Sequence, residues 1–318
     1  MGEKIEGVLQ EEILDIYEKC NADSGCRDRW ERWSSHRERV QQEIRRLLRG
    51  RETEKVDSIL VLGAGRCEDL DIKALLELCR ELTLADYDGD TVKRALDRLE
   101  LTEEQRKAIK IAGGLDFTGL YTAENRQTIN SMVKSQRDGE TLKRDILELG
   151  RRAESPLIQS LGFGKYDLVV AGALHSQLII PYTRLGETQE EKARLMSFGG
   201  ELAEVLGTAM NETILGLVKQ GGIVFAYFDV LELSERLGNL QFAGITELIL
   251  GEEESQEHMI KELICRFGGV AGGRSSFENL KERLVQRGEK ASRGRWIWEY
   301  RQDKKYLIES LGIVTSSD

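Results

Sequence analysis

The chain has 318 residues and a formal charge of -10, long enough for a substantial core in one large domain or two. An acidic balance of this size disfavours broad nucleic-acid binding, which depends on neutralising phosphates with lysine and arginine. Five scattered cysteines without a CxxC pair and three separated histidines indicate neither a disulfide framework nor a metal site. Met1 to Gln10 lacks a signal-peptide core, and no apolar run nears the roughly 20 residues that span a bilayer, so the expected setting is a reducing cytoplasm, away from membranes.

In chain order, residues 1–55 read as helices ahead of the first strand: Ile5 to Lys19, a polar break at Asn21 to Gly25, then Asp28 to Leu48. Cys26 to Arg51 holds nine arginines against four acids, with Trp30 and Trp33 interleaved. Trp33, Val40, Ile44 and Leu47 recur on one helical face, which predicts an amphipathic helix with solvated arginines. His36 and Arg37 lie on or beside that face. With Tyr17, Trp30 and Trp33 they are also candidates for a lid over a ligand, although aromatic residues at helical spacing are more often core.

The chain is organised around Ser58 to Asp69. Ile59 to Leu62 is a continuous apolar run that fits a strand buried on both faces; Gly63, Ala64 and Gly65 then allow a sharp turn ahead of a helix carrying Ile72, Leu75, Leu76 and Cys79. Glycines there remove the Cβ atoms that would hold a ligand away, so strand, turn and helix read as a nucleotide-cofactor cradle, the alternative being a tight βα turn with a structural role alone. Glu68 stands where a dinucleotide fingerprint has its third glycine, so a pyrophosphate would meet a carboxylate, and no Gly-Lys-Ser/Thr follows to make a P-loop. Leu82 to Ala85 form the next strand. Asp86 ends it, 23 positions after Gly63, where an acid can accept hydrogen bonds from both hydroxyls of a ribose. Asp88 is placed to cap the following helix.

The segments Val-Leu-Gly-Ala-Gly at 61–65 and Leu-Ala-Asp-Tyr-Asp at 84–88 are followed in order by Gly-Gly-Leu-Asp-Phe at 113–117, Tyr-Asp-Leu-Val-Val-Ala-Gly-Ala-Leu-His at 166–175 and Gly-Gly-Ile-Val-Phe-Ala-Tyr-Phe at 221–228. With these the chain resembles the class I S-adenosylmethionine-dependent methyltransferases, from Ser58 to Val314 with interruptions; the acid usual just before the turn is Leu62 here. The resemblance implies an α/β fold: a Rossmann-like, mostly parallel doubly wound sheet with a C-terminal antiparallel hairpin and an N-terminal helical cap over residues 1–55. It implies S-adenosylmethionine as cofactor, held by Gly63, Ala64, Gly65, Asp86, Tyr87, Asp116, Phe117, Ala171 and Gly172. The cap would then supply Trp33, His36 and Arg37 to the substrate, Arg37 also meeting the cofactor's methionyl carboxylate.

Beyond Asp86, Thr91 to Leu99 reads as a helix, Thr102 opens another with capping chemistry, and Lys110 to Ala112 form a short strand. About fifty residues separate Phe117 from Tyr166, an insertion near 118–160 that reads either as a helical hairpin beside the site or as a homodimer element. Leu168 to Ala171 form the fourth strand, which puts His175 at the crevice as a candidate general base; the alternative is a helix-terminus histidine with a satisfied hydrogen bond. Phe198 to Lys219 is a long helix, and Gly221 and Gly222 open the fifth strand. A polar segment, Glu232 to Glu262, reads as a second insertion, Gly268 to Gly273 as a loop and Ser276 to Gln286 as the last helix. Arg295 to Tyr300 and Tyr306 to Val314 read as a terminal hairpin. The expected function is methyl transfer to an O, N or C nucleophile of a small molecule, without a metal. The alternatives are a non-catalytic S-adenosylmethionine-binding regulator, an RNA methyltransferase using the arginine-rich cap, and an NAD-linked oxidoreductase.

Overall fold

The computed structural model describes residues 28–49, 55–135, 138–182, 185, 188–239 and 253–316. The expected helix Ile5 to Lys19, with Tyr17, lies outside them. Helices α1 (Arg29–Arg32) and α2 (Ser34–Leu48) precede β1 (Val56–Leu62), followed by α3 (Ile72–Leu78), β2 (Cys79–Ala85), α4 (Gly89–Asp97), α5 (Glu103–Lys107) and β3 (Ile109–Ala112). The expected first insertion is helical, as α6 (Ala123–Lys134), α7 (Gly139–Arg152) and α8 (Leu157–Leu161), and leads into β4 (Tyr166–Gly172). Then come α9 (Gln189–Met196), α10 (Gly199–Leu217), β5 (Val218–Ser234), α11 (Glu253–Phe267), α12 (Gly273–Gln286), β6 (Ala291–Arg301) and β7 (Lys304–Val314).

The strands form one seven-stranded sheet in the order β3-β2-β1-β4-β5-β7-β6. Pairing is parallel from β3 to β5, whereas β7 runs antiparallel to both β5 and β6. This is the Rossmann-like sheet with a C-terminal antiparallel hairpin that the resemblance implied, the strand order of the class I methyltransferase fold. Both faces are covered, which is why Ile59 to Leu62 of β1 can be an unbroken apolar run. Ile59 and Val61 belong to the core beneath α2 and α3, with Val40, Ile44 and Leu75, while Leu60 and Leu62 belong to the opposite core, with Ile146, Leu202 and Met210.

Several boundaries differ from expectation, each for a visible reason. β2 begins at Cys79, which pairs with Val56 in register instead of ending the preceding helix. That helix, α3, starts only at Ile72, where the Asp71 side chain accepts the Ala74 N–H at 3.0 Å; Glu68 and Asp69 therefore lie in a loop between cradle and helix. β5 runs on to Ser234, because Glu232 and Ser234 pair with Tyr306 and Lys304, and Glu232 meets the Lys304 ammonium at 3.0 Å. The start of the expected second insertion is thus strand, and residues 240–252 lie outside the described ones. α12 opens at Gly273, and the hairpin strands close on a turn at Gln302 and Asp303.

Helix α2 lays its apolar face on the hairpin. Trp296 Nε1 donates to His36 Nδ1 at 2.9 Å, and the His36 ring stacks on Trp298 with centroids 4.3 Å apart. Its arginines are largely engaged: Arg39 and Arg46 flank the buried Glu43, and Arg45 meets Glu77. Across the hairpin, Arg274, Arg293 and Arg295 converge on the buried Glu309, tying α12 to β6 and β7. Among the described residues no helix is long and apolar enough to cross a membrane, and no group of three or more His, Cys, Asp or Glu side chains is placed to hold a metal ion.

Candidate cofactor and acceptor site

A cavity of about 330 Å³ lies at the carboxyl ends of the parallel strands, lined from the exits of β1, β2 and β4 and by Asp229 of β5. Strand order reverses between β1 and β4, and open α/β sheets bind ligands at that point.

At the β1 exit the backbone takes left-handed conformations at Gly63 (φ 72°), Gly65 (φ 49°) and Cys67 (φ 53°). The Gly63 and Ala64 N–H groups both donate to the Ala85 carbonyl, at 2.9 and 3.1 Å, so the turn is stitched to the end of β2. Asp86 completes the stitch. Its Oδ2 accepts the Gly65 N–H and its Oδ1 the Asp88 N–H, each at 2.8 Å. A carboxylate offers about four lone-pair positions, so about two remain for a ligand. Burial pushes the Asp86 carboxyl up to about 6 against the pull of these two amides. Asp88 caps α4 as expected, accepting the Thr91 N–H at 2.9 Å.

Tyr87 and Phe117 line the cavity with Leu115. Asp116 lines it too, but its carboxylate also shapes its own loop: Oδ1 accepts from the Thr118 N–H and hydroxyl, and Oδ2 from the Tyr121 N–H. Gly172 is glycine because the Tyr227 phenol crosses it; a Cβ there would stand 2.1 Å from the phenol oxygen. That phenol reaches over to donate to Asp69 Oδ2 at 2.7 Å. Ala171 is enclosed between Leu62 and Ala226 of the flanking strands and is not part of the lining.

The cap residues divide. Trp33 lines the cavity, anchored by its indole N–H on the Tyr300 carbonyl at 3.0 Å. His36 does not; it is sealed among Trp296, Trp298 and Tyr227, and burial, then Arg37, takes its imidazole down to about 3. Arg37 is also outside the lining, donating to the Glu68 carbonyl at 2.8 Å with its guanidinium 3.6 Å over the Trp30 ring. It straps the cap to the loop beyond the cradle, and the cap arginine in the lining is Arg29, 3.4 Å from Glu68. His175, expected at the crevice, turns inward: Nε2 lies 2.9 Å from Asn211 Oδ1, the ring packs 4.7 Å from that of Phe228, and burial lowers its imidazole to about 4. Its neighbours Leu174, Ser176 and Gln177 line the cavity in its place.

Sequence reasoning passed over Asp69, Asp229, Ser176 and the wall of Trp298, Tyr300 and Tyr306, all in the lining. A signal for Asp229 was present, since it directly follows the apolar run Ile223 to Phe228 and so stands at a strand's crevice end. The Ser176 hydroxyl donates to Asp229 Oδ2 at 2.8 Å, Oδ1 has no protein partner, and burial pushes this carboxyl up to about 7. Because the folded value lies above the ordinary carboxylate range, its contribution to stability is fully present below about pH 4 and is lost as pH rises through 7. Asp229→Asn, which cannot ionise, should therefore melt about 2 °C or more above the native protein at pH 8 and show no such gain at pH 4, as followed by thermal unfolding.

No family model matches the chain, and no curated protein matches it. Solved structures do resemble it. A SAM-dependent methyltransferase from Methanosarcina mazei aligns at 10% identity and a TM-score of 0.42, over 87% of this chain and 98% of that one. Magnesium protoporphyrin IX methyltransferase from Synechocystis PCC 6803, solved with bound SAH, aligns at 10% identity and a TM-score of 0.41, over 99% and 100%. A possible exported protein from Bordetella parapertussis aligns at 11% identity and a TM-score of 0.38, over 87% and 67%. Likeness of this degree says nothing of chemistry.

Proposed function

We propose that the chain binds S-adenosylmethionine in this cavity and transfers its methyl group to a small-molecule acceptor. The observation that carries the reading is Asp86: a carboxylate at the carboxyl end of β2, held by the Gly65 and Asp88 amides with acceptor positions left for ribose hydroxyls. Gly63, Ala64 and Gly65 form the floor, Tyr87, Phe117 and Gly172 with Leu115 the walls around the base, and Asp116 stands at its edge. Arg29 and Arg66, in place of Arg37, are the basic side chains of the lining on the side of a methionyl carboxylate. The lining carries Glu68, Asp69, Asp86, Asp116 and Asp229 against Arg29 and Arg66. That balance suits a sulfonium cofactor with a free ammonium and repels the pyrophosphate of NAD.

When bound, the cofactor supplies an electrophilic methyl carbon, and the protein's part is to hold an acceptor in line with it in a water-poor cavity. Arg39, Arg45 and Arg46 of α2 are drawn into ion pairs with Glu43 and Glu77, and the chain's formal charge of -10 opposes RNA. Incubating the protein with methyl-labelled S-adenosylmethionine and a cell extract split by size tests the reading. Label should enter the small-molecule fraction; label confined to RNA, and salt-sensitive RNA binding, would overturn it.

A further inference from the structure

The cofactor reading accounts for the cradle end of the cavity and leaves the rest of its lining without a ligand. Trp33, Trp298, Tyr300 and Tyr306 make a continuous aromatic wall there, brought together by α1, α2 and the hairpin. Ring centroids lie 4.8 Å apart for Trp33 and Trp298, 5.3 Å for Trp33 and Tyr300, 5.2 Å for Trp298 and Tyr300, and 5.3 Å for Tyr300 and Tyr306. Among the buried polar atoms of this lining that have no protein partner is the acceptor Asp229 Oδ1. Buried polar groups are as a rule satisfied, so the Asp229 carboxylate has capacity for a ligand's donor.

We propose that this end of the cavity takes the methyl acceptor, and that the acceptor is an amine on a flat, largely apolar body, bound as its cation and passing one N–H proton to the Asp229 carboxylate so that the nitrogen lone pair is free to take the methyl group as the sulfonium C–S bond breaks. The inference rests on the methyltransferase reading and adds the substrate class to it. An ammonium gives Asp229 a charged donor, the stronger kind of partner for a carboxylate. Tryptophan and tyrosine faces attract a cation and stack on a flat ring. A carboxylate ligand would instead face a lining in which acids outnumber arginines. A neutral alcohol would fill the Asp229 hydrogen bond without the charge pairing that an ammonium adds. The nearby lysine acts on Asp229 only from a distance, since the Lys304 ammonium lies on Glu232 at 3.0 Å.

Three probes on one 4-hydroxyphenylethyl body test this by calorimetric titration of the protein saturated with S-adenosylhomocysteine: tyramine, its isosteric alcohol tyrosol, and the larger acid 3-(4-hydroxyphenyl)propanoate. Tyramine should bind at least about tenfold more tightly than tyrosol, with the acid weakest. Asp229→Asn should bring tyramine to within about threefold of tyrosol, with the variant's fold checked by a single cooperative thermal transition. Equal binding of the three probes, no binding by any, or a preference that survives Asp229→Asn overturns the proposal. Failure of S-adenosylhomocysteine itself to bind would count against the cofactor reading instead, and the same titrations on the free protein would still decide the preference for a cation.

Discussion

Asp86→Ala should weaken S-adenosylhomocysteine binding by about 30- to 700-fold, or about 2–4 kcal/mol, because hydrogen bonds to a charged group contribute about 1.5–3 kcal/mol each and do not add fully. Part of the loss is indirect. Asp86 also takes the Gly65 and Asp88 amides, so its removal frees the cradle from the end of β2 and leaves two N–H groups without their acceptor. Asp86→Asn should not rescue binding, since an amide NH₂ would then confront one of those two donors. Calorimetry reads both variants, and unchanged affinity in either would remove Asp86 from the ribose role.

Gly65→Val should abolish detectable cofactor binding, a loss of at least about 100-fold, while Gly65→Ala should cost far less. The backbone at Gly65 sits at φ 49°, and a Cβ there would find no neighbour nearer than the Gly63 carbonyl oxygen at 3.9 Å. Space therefore admits alanine at a strain of about 1–2 kcal/mol, whereas a β-branched side chain adds crowding against its own backbone and blocks the approach of a ligand to the turn. If both variants fold but only valine loses the ligand, the turn is a binding cradle. Normal binding by Gly65→Val would reduce it to a chain reversal.

The sequence announced the sheet because doubly buried strands are written as unbroken apolar runs, as in Ile59 to Leu62 and Leu168 to Ala171, and because Asp88 and Thr102 carry unmistakable capping chemistry. The ribose acid was legible for a related reason: one βαβ unit fixes how far an acid must lie from the glycine turn. What stayed hidden depended on side-chain direction or on distant partners. The crevice rule locates His175 in the chain but not its ring, which turns to Asn211 while Ser176 lines the cavity. Helical spacing likewise does not say which cap arginine looks inward, and it is Arg29, not Arg37. The end of β5 reads as polar because Glu232 and Ser234 owe their strand conformation to β7, some seventy residues away.

Which cofactor the cradle accepts is measured directly by calorimetric titration of the native protein with S-adenosylhomocysteine and, separately, with NAD. S-adenosylhomocysteine should bind saturably, one to one, in the micromolar range or tighter and in competition with S-adenosylmethionine, while NAD should give no measurable heat. Binding of NAD with S-adenosylhomocysteine left inert would contradict the methyltransferase reading.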